Sequence, residues 1–465
     1  MTDRRAVAAR CGTAHARHTT DDSALTPRTH RDGERAWGED AEGGPDVRLG
    51  SESGARRRPG DTGNATGREQ RPRVAVVGAG IGGLALAGAL AANGTPYVVH
   101  EQTRVLSEVG AGVQLSPNAV RPLLRLGLGP ALEEHGVRVE AMEVRGWNGR
   151  PIARTPLGAE CERMFAAPYL TIHRAHLHEA LLSLTDRDRL RLGERLRAAE
   201  ETADGTGVRL AFDDGTVREA DVVIGADGIH STVRETLRTD APVFSGLGIY
   251  RGLVPADALP AGARERLVRL WLGPGGHFVC YPVASGAYLS YAATVPLTTG
   301  APPRESWSRP GDPDALRAVF GGWTGLVADV VAAVGSTHLW ALYDRPPLRT
   351  WSTDRITLLG DAAHPMLPFM AQGANQAIED AMDLAACLAD APASAIPERL
   401  ARYESLRIPR TAEIQRGSRG NAGILHLPDG PAQRRRDARM AVHAALHDRT
   451  PLYAHETGRT VVTTA

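Results

Sequence analysis

The stretch RVAVVGAGIGGLALAGALAA, from Arg73 to Ala92, decides the fold. It opens with an apolar strand pattern, and Ile81–Ala92 is small, apolar and typical of a helix. Gly78, Gly80 and Gly83 stand between the two as G-x-G-x-x-G. In this motif the first glycine makes a tight turn, the second lets backbone approach a pyrophosphate, and the third lets helix pack on strand. The stretch predicts a dinucleotide-binding turn, with a purely structural glycine-rich turn as the alternative.

The residues that follow complete a β-α-β unit. Pro96–Glu101 is a second apolar strand pattern, and Glu101 ends it 23 residues after Gly78. An acid at this place accepts hydrogen bonds from ribose hydroxyls. Arg104 follows shortly, so this element leaves open a preference for a 2′-phosphate. A β-α-β opening is typical of doubly wound α/β folds.

Outside this unit the pattern changes several times. Residues 1–71 are rich in charge and poor in large apolar side chains, which predicts a disordered N-terminal extension. Thr206–Ile224 has the pattern of a hairpin. Phe244 to about Val295 alternates apolar and polar residues, which predicts an antiparallel sheet covered on one face. From Gln372 onward a helical period dominates.

Composition excludes several kinds of protein. The chain has 465 residues and a formal net charge of zero, so no long-range field favours nucleic acid or an anionic membrane. The glycines of Val74–Ala92 argue against a membrane span there. All 54 basic residues are arginine, which excludes Schiff-base enzymes, P-loop nucleotidases and protein kinases, since each needs a lysine. The cysteines have no metal-binding spacing, which predicts no metal site and a reducing, cytoplasmic location; they are Cys11, Cys161, Cys280 and Cys387.

Two further motifs place an acid after an apolar strand. DVVIGADGIHSTVR brings Asp227-Gly228 to the end of a strand, ahead of a helix predicted to start near His230. RITLLGDAAHPMLPFMAQGANQAIEDA brings Asp361 to the end of another strand, and a helix is predicted from about Gln372-Gly373. An acid beside a helix N-terminus suits a ribityl chain and an electron-rich ring.

Together the three motifs resemble those of the class A flavoprotein monooxygenases, the single-component FAD-dependent aromatic hydroxylases. Their order is that of the family, and the resemblance covers about residues 72–445. It is strongest to the salicylate hydroxylase-like and 3-hydroxybenzoate 6-hydroxylase-like branch. The segments that carry this likeness are GAGVQLSPNA (110–119), TIHRAHLHEAL (171–181), YRGLVP (250–255), HFVCYPV (277–283), RYESLRIPR (402–410) and HLPDGPAQRRRDA (426–438).

The resemblance implies an α/β fold in which a Rossmann-like FAD-binding domain is interleaved with an antiparallel-sheet substrate domain and followed by C-terminal helices. The FAD-binding domain would be discontinuous, made of residues 72–245 and 345–390. The substrate domain would hold residues 246–344 with parts of 140–170. Residues 391–465 would form the helical region.

The resemblance also implies which residues bind FAD. Gly78, Gly80 and Gly83 would face the pyrophosphate, and Glu101 would bind the adenosine ribose. The other expected contacts lie in the later motifs: Arg174 at the phosphate or ribityl region, Asp227 in FAD and nicotinamide handling, Asp361 on the ribityl chain, and the backbone of Gly373, Ala374 and Asn375 at the pyrimidine edge of the flavin. The positive helix end there would stabilise the anionic reduced flavin.

The family's reaction follows from its cofactor. NADH or NADPH reduces FAD, and the reduced flavin takes up O₂ to form a C4a-hydroperoxide that hydroxylates a small aromatic substrate, a phenol or a hydroxybenzoate. A phenol is activated by loss of its hydroxyl proton, so a base near the ring is expected. The candidates are His277, Tyr281 and Tyr250. Arg251 is a candidate partner for a substrate carboxylate. An ordinary packing or strand role is the alternative for each of the four.

Two other functions stay open on the sequence. One is a tailoring hydroxylase or epoxidase acting on a larger natural product, and the other is a flavin-binding sensor without turnover. The chain lacks a second G-x-G-x-x-G and a redox C-x₄-C, which argues against disulfide reductases, and it lacks the lysine and W-x-W-x-x-P segment of flavin-dependent halogenases. A homodimer contact through the charged C-terminal helices is also left open.

Overall fold

The computed structural model describes residues 71–106, 111–297 and 309–458. The predicted N-terminal extension lies outside them, except for Arg71. The described residues all belong to one compact unit, and the division of this unit into domains stays a prediction. None of the described helices is long and apolar enough to cross a membrane. The described residues hold no cluster of three or more His, Cys, Asp or Glu side chains suited to a metal ion.

Strands of the described chain are, in order, β1 (Val74–Val77), β2 (Tyr97–Glu101), β3 (Gly112–Leu115), β4 (Gly136–Arg138), β5 (Ala141–Gly146), β6 (Pro151–Pro156), β7 (Leu170–His173), β8 (Leu190–Leu192), β9 (Leu196–Glu201), β10 (Val208–Phe212), β11 (Val217–Ala220), β12 (Val222–Gly225), β13 (Val243–Pro255), β14 (Leu267–Gly273), β15 (Gly276–Val283), β16 (Tyr288–Pro296), β17 (Pro310–Gly311), β18 (Thr337–Asp344) and β19 (Ile356–Leu358).

Helices of the described chain are, in order, α1 (Ile81–Ala92), α2 (Pro117–Arg125), α3 (Gly129–His135), α4 (Ala159–Phe165), α5 (Arg174–Leu182), α6 (Thr232–Leu237), α7 (Pro313–Phe320), α8 (Leu326–Ala333), α9 (Gly373–Leu388), α10 (Ile396–Leu425), α11 (Pro431–Val442) and α12 (Thr450–Tyr453). The helix predicted from about Gln372-Gly373 begins at Gly373. The helix predicted near His230 begins two residues later, at Thr232.

A parallel sheet with the order β19-β12-β1-β2-β8 carries the three motifs. Strands β1 (VAVV) and β12 (VVIG) are buried along their whole length, as expected for β-branched strands of a parallel sheet covered on both faces. The carboxyl ends of these strands meet at one edge, and the G-x-G-x-x-G turn, Glu101, Asp227 and Asp361 all lie there. This is the edge at which open α/β sheets bind ligands.

A second sheet has the order β17-β18-β13-β16-β15-β14-β5-β6 and is antiparallel except where β5 meets β14. It takes in β5 and β6 from an earlier part of the chain. One of its faces packs on α7 and α8 through Phe278, Phe320 and Val327. The other faces the loop that follows Asp361. These two sheets and the helices confirm the predicted interleaved α/β fold.

The predicted hairpin at Thr206–Ile224 forms only in part. β10 and β11 pair as an antiparallel hairpin, but β12 leaves it and joins the parallel sheet beside β1. Asp221 marks the break, since its carboxylate accepts hydrogen bonds from the backbone N–H and the guanidinium of Arg73. The apolar run VVI is buried in the parallel sheet, and that burial decides its partner.

Candidate active site

The G-x-G-x-x-G turn is tight on one side and open on the other. Gly78 has φ +107°, and its N–H donates to His100 O at 2.7 Å. A Cβ added to Gly83 would lie 1.9 Å from Gly78 O, so α1 packs directly on the turn. A Cβ added to Gly80 would meet no atom within 4 Å. The turn therefore offers open backbone where a pyrophosphate would lie.

A cavity of about 580 Å³ opens at this turn, a volume in the ordinary range for ligand pockets. Among its lining residues are members of every predicted FAD motif: Gly78, Gly80, Glu101, Arg174, Asp227, Asp361, Gly373 and Ala374. Gly83 and Asn375 are not among the lining residues; they shape the wall from behind. The residues present fit FAD, because glycine backbone, a ribose-binding acid and a cation converge on one cavity.

Glu101 is held by backbone on both of its carboxylate oxygens. Oε2 accepts from Ala79 N and Oε1 accepts from Thr103 N, each at 2.8 Å. These bonds fix the carboxylate beside the glycine turn. Each oxygen keeps a second lone pair, so the acid can also accept from ribose hydroxyls in the cavity.

Asp227 binds the start of a short helix whose N-cap is Ser231. Its carboxylate accepts from Ser231 Oγ at 2.5 Å, Thr232 N at 2.8 Å and Val233 N at 3.2 Å, at the start of α6. Burial raises the pKa of Asp227, and these donors oppose the rise. The structure thus gives Asp227 a local role at the rim of the cavity. Its part in FAD or nicotinamide handling stays a prediction.

Asp361 and the first turn of α9 form the far wall. Asp361 is exposed to the cavity, and desolvation by the surrounding protein raises its pKa, against the opposing charges of His364 and Arg174. A Cβ on Gly373 would lie 3.9 Å from Asp361 Oδ1. The first turn of α9 carries no acidic residue, so its positive end stays uncompensated towards the cavity.

Asn375 ties the start of α9 to β3. Its Oδ1 accepts from Ser116 N at 2.9 Å, and its Nδ2 donates to Gln114 O at 2.9 Å. The side chain is buried. Asn375 therefore fixes the first turn of α9 through its amide, a role that the sequence did not predict.

A buried charge network behind α9 was missed by the sequence reasoning. Asp380 Oδ2 accepts from Gly360 N at 2.9 Å and lies 2.5 Å from His364 Nε2. Arg407 donates to Asp380 Oδ1 and to Glu379 Oε2, each at 2.7 Å. These ion pairs lower the pKa of Asp380 to about 2, against desolvation, and raise that of Arg407. The network holds the turn that presents Asp361. The sequence did hold a signal for this network: the adjacent acids of QAIEDA and the arginines of RYESLRIPR could have been predicted to pair.

Helix α10 also holds the loop that follows Asp361. Gln415 Nε2 donates to Pro365 O at 3.1 Å, and Asn421 Nδ2 donates to Phe369 O at 3.1 Å. Ser418 Oγ, between them, donates to Leu367 O. This face of α10 presses Leu367 and Phe369 against the second sheet.

Three of the four predicted catalytic residues share the sheet face that meets this loop. In the register, Arg251 pairs with Ala292, and His277 and Tyr281 pair with Thr294 and Ser290. Because side chains two residues apart on a strand share a face, the three side chains point to the same side.

Tyr250 is not brought together with them. Its side chain packs on the opposite face, in the cluster of Trp271, Phe278 and Leu316. The alternation of β13 separates Tyr250 from Arg251, and burial raises its pKa. We therefore do not assign it a part in proton abstraction.

Arg251 is a cation without an acidic partner among the described residues. Its Nη2 donates to Gly112 O at 3.3 Å, and its Cζ lies 5.6 Å from the ring centroid of Trp340. The Tyr281 hydroxyl interacts with the guanidinium, and burial raises the pKa of that tyrosine. Desolvation lowers the pKa of Arg251, yet a guanidinium stays protonated. Such a group suits an incoming carboxylate.

His277 is buried and neutral. Desolvation lowers its pKa to about 3, with a smaller contribution from His426. Its Nδ1 lies 2.7 Å from His426 Nε2, and its Nε2 lies 3.4 Å from Thr294 Oγ1. Phe369 meets the His277 ring edge-on at 5.2 Å between centroids. The imidazole therefore stands at the contact between the sheet and the loop that follows Asp361.

Comparison with known proteins identifies the family. A family model described as an FAD binding domain matches residues 71–418. A 3-amino-4-hydroxybenzoate 2-monooxygenase of Streptomyces platensis is 48% identical over 83% of this chain and 96% of its own length. The 3-hydroxybenzoate 6-hydroxylase of Klebsiella oxytoca is 35% identical over 76% of this chain and 89% of its own. The chain belongs to the class A flavoprotein monooxygenases.

Solved structures agree with this membership. A salicylate hydroxylase in complex with substrate has a TM-score of 0.71 at 29% identity, over 83% of this chain and 96% of that one. HpxO of Klebsiella pneumoniae, solved with FAD, has a TM-score of 0.70 at 28% identity, over 79% of this chain and 94% of that one. This monooxygenase uses FAD as cofactor, with NAD(P)H and O₂ as co-substrates. The predicted family, branch and cofactors are confirmed, and the sensor without turnover is disfavoured.

Proposed function

We propose that the chain hydroxylates a benzoate whose phenolic hydroxyl lies para to its carboxylate. The observation that carries the proposal is the pair Arg251 and His277, a cation without an acidic partner among the described residues and a neutral imidazole on the same sheet face. They lie two strands apart, about 10 Å across the sheet, and two residues apart along the strands. Relatives at 48% identity are named for 3-amino-4-hydroxybenzoate, which has this arrangement and is the first compound to test.

Arg251 binds the carboxylate in this proposal. A carboxylate supplies the counter-charge that the described protein residues do not provide, and a guanidinium can hold it with two parallel hydrogen bonds. The Trp340 ring and the Gly112 carbonyl fix the guanidinium in place. Tyr281 limits the space at the carboxylate end of the site. It packs so close to Gly112 that a Cβ added to Gly112 would lie 2.4 Å from Tyr281 Cε2.

His277 receives the hydroxyl proton. A base must be unprotonated before it can act, and burial keeps His277 neutral across the physiological range. The ring between the two anchors would lie against Val279, Trp340 and Phe369, which share one apolar cluster. That cluster keeps water away from the reacting carbon.

Arg174 links the FAD cavity to this face, because it lines the cavity and its charge acts on Arg251. Reduced by NAD(P)H, bound FAD supplies the activated oxygen. Asp361 and the start of α9 would hold its ribityl chain and pyrimidine edge, and Arg174 its phosphates. An Asp361→Ala variant should retain less flavin after purification, while an exposed-site variant, Asp354→Ala, should retain it all. Full flavin content in Asp361→Ala would show that Asp361 does not hold the ribityl chain.

A substrate panel tests the function. We expect 3-amino-4-hydroxybenzoate to stimulate NAD(P)H oxidation and to yield a product heavier by one oxygen atom. Arg251→Met should raise KM for this benzoate about 30-fold or more, from the loss of a buried charge pair, and leave KM for 2-aminophenol unchanged. Arg209→Met, at an exposed arginine of β10, is the matched control. Peroxide without hydroxylated product across benzoates and phenols would refute the proposal and favour a larger natural product.

Two finer predictions accompany the function. A homodimer and a cytoplasmic location stay predictions. The cysteines of the described residues, Cys161, Cys280 and Cys387, are buried and free, in keeping with a reducing compartment. Sedimentation of the holoenzyme at several concentrations tests the dimer.

A further inference from the structure

A second cavity lies behind the candidate substrate site. It has a volume of about 800 Å³ and lies between β5, β6 and α11, away from the FAD motifs. Leu272 and Leu427 are among its lining residues. Leu272 pairs directly with His277 across β14 and β15, and Leu427 follows His426 in the chain. The cavity therefore reaches the immediate neighbours of both imidazoles.

The imidazoles of His277 and His426 are joined by a hydrogen bond. His277 Nδ1 and His426 Nε2 lie 2.7 Å apart, a full hydrogen bond, with the rings 14° from parallel. Phe369 meets both rings edge-on, at 5.2 Å and 5.6 Å between centroids. Gly275 N donates to His426 O at 3.1 Å, so the turn between β14 and β15 fixes the backbone of His426.

The outer end of the pair is open to water. His426 is partly exposed, whereas His277 is buried. Nδ1 of His426 has no hydrogen-bond partner among the described residues and is not a buried atom, so solvent reaches it. The charged groups that face His426 are on α11, where Arg436 pairs with Asp437 at 2.7 Å. Desolvation lowers the pKa of His426 and the charge of Arg436 adds to this effect, so His426 does not retain a second proton.

We propose that His426 relays the substrate's hydroxyl proton from His277 to the solvent at its exposed outer edge, next to the second cavity. This inference rests on the proposed function, because it needs a phenolic substrate at His277. His426 acts through His277 and does not itself contact the substrate. The relay explains why a buried base, closed off by Phe369, has a hydrogen-bonded partner that leads to solvent.

The protons balance in three coupled transfers. At the start His277 carries its proton on Nδ1 and His426 carries its proton on Nδ1. The substrate O–H gives its proton to His277 Nε2, His277 Nδ1–H passes its proton to His426 Nε2, and His426 Nδ1–H releases its proton to water. Both rings end neutral as the other tautomer. When the product phenolate takes up a proton, the same transfers run in reverse and restore the starting tautomers.

The lowered pKa values of the two imidazoles favour passing a proton on over holding it. Desolvation lowers the pKa of His277 to about 3 and that of His426 to about 4. Neither ring holds a second proton at neutral pH, so a proton that enters at one end leaves at the other. A lone buried imidazole would instead have to keep the charge beside the phenolate until the product left.

Proton release on substrate binding tests the relay. Holoenzyme is mixed with 3-amino-4-hydroxybenzoate in weak buffer containing a pH-indicator dye, and the release rate is followed by stopped flow. We expect His426→Gln, which keeps a hydrogen-bonding side chain but cannot relay, to slow release at least 10-fold with flavin content and substrate KM unchanged. His426→Ala should be equally slow and should be restored by added imidazole. His443→Ala, at an exposed histidine directly after α11, should match the unaltered enzyme.

The outcomes separate the two proposals. Release at the unaltered rate in both His426 variants would overturn the relay, and so would slow release that imidazole does not restore. An unaltered enzyme that gives no aromatic-stimulated NAD(P)H oxidation would instead overturn the proposed function. In an active enzyme, slow release in His277→Asn with fast release in His426→Gln would show that His277 passes its proton elsewhere.

Discussion

The FAD cavity and the substrate-facing sheet are built in opposite ways. The cavity is lined by short contiguous motifs. In these motifs the FAD contacts are expected from backbone N–H groups, from glycines and from one acid at each strand end. The sheet face gathers single side chains from β13, β15 and β18, from the loop after Asp361 and from the end of α10. A contiguous motif is visible in a sequence, whereas a face assembled from distant strands depends on their register. The contrast can be tested by changing one region and measuring the other.

The largest effect is expected at Arg407. Arg407→Met removes the cation that the buried acids Glu379, Asp380 and Asp383 share, and leaves Arg410 beside Glu379 and His364 beside Asp380. We expect a loss of about 3–5 kcal/mol in the free energy of unfolding, measured with urea, and poor flavin retention. Arg416→Met, exposed on the same helix, is the control. If stability were unchanged and substrate binding were lost, the network would support the substrate-facing sheet rather than the FAD cavity.

A pair of glycine variants divides the flavin region itself. Gly83→Ala drives a methyl group into Gly78 O and should destabilise the protein without flavin by about 1–3 kcal/mol. Gly80→Ala points into the cavity, so the unfolding of the apoprotein should stay the same while the Kd for FAD rises. Thermal unfolding of the apoproteins and fluorescence titration with FAD measure the two effects. Equal losses of apoprotein stability would contradict the assignment of open space at Gly80.

The substrate face should have a pH signature of its own. Burial lowers the pKa of His277 to about 3, so between about pH 6.5 and 3 the unfolded chain binds more protons at this residue than the folded chain. The free energy of unfolding should therefore fall by about 1.4 kcal/mol per pH unit as the solution is acidified through that range. His277→Asn should remove this share of the slope. Urea unfolding at pH 7, 6 and 5 gives both slopes, and identical slopes would mean that His277 is solvated.

The smallest effect is expected at Trp340. Trp340→Leu removes the ring beside Arg251 and should weaken carboxylate binding by about 0.5–1 kcal/mol, a rise of roughly 2–5-fold in KM for the benzoate. Trp340→Phe retains an aromatic face and should recover most of the loss. A larger change in kcat than in KM would show that the ring positions the reacting carbon.

The two regions also differ in what the sequence reveals. G-x-G-x-x-G, DG and GD each sit at a strand end, so the parallel sheet and most of the cavity lining follow from local spacing. The role of Asp227 was less visible, because an acid that binds the start of a helix and an acid that contacts a ligand use the same DG pattern. On the substrate side, Tyr250 and Arg251 are adjacent in the chain, and only the pairing of β13 with β16 and β18 shows that they point to opposite faces. His426 meets His277 across 149 residues, a contact that no periodicity encodes.

Helix α10 contacts both regions, and its length sets the distance between those contacts. Its 30 residues span about 45 Å, and on one face Arg407 holds the turn beside Asp361 while Gln415, Ser418 and Asn421 hold the loop in sequence order. His426 follows its last residue. A single residue inserted between Asn421 and His426 would turn the imidazole by about 100° and leave Arg407 in place. The length of this helix is thus itself part of the site, and insertions there should be far less tolerated than side-chain changes on its outer face.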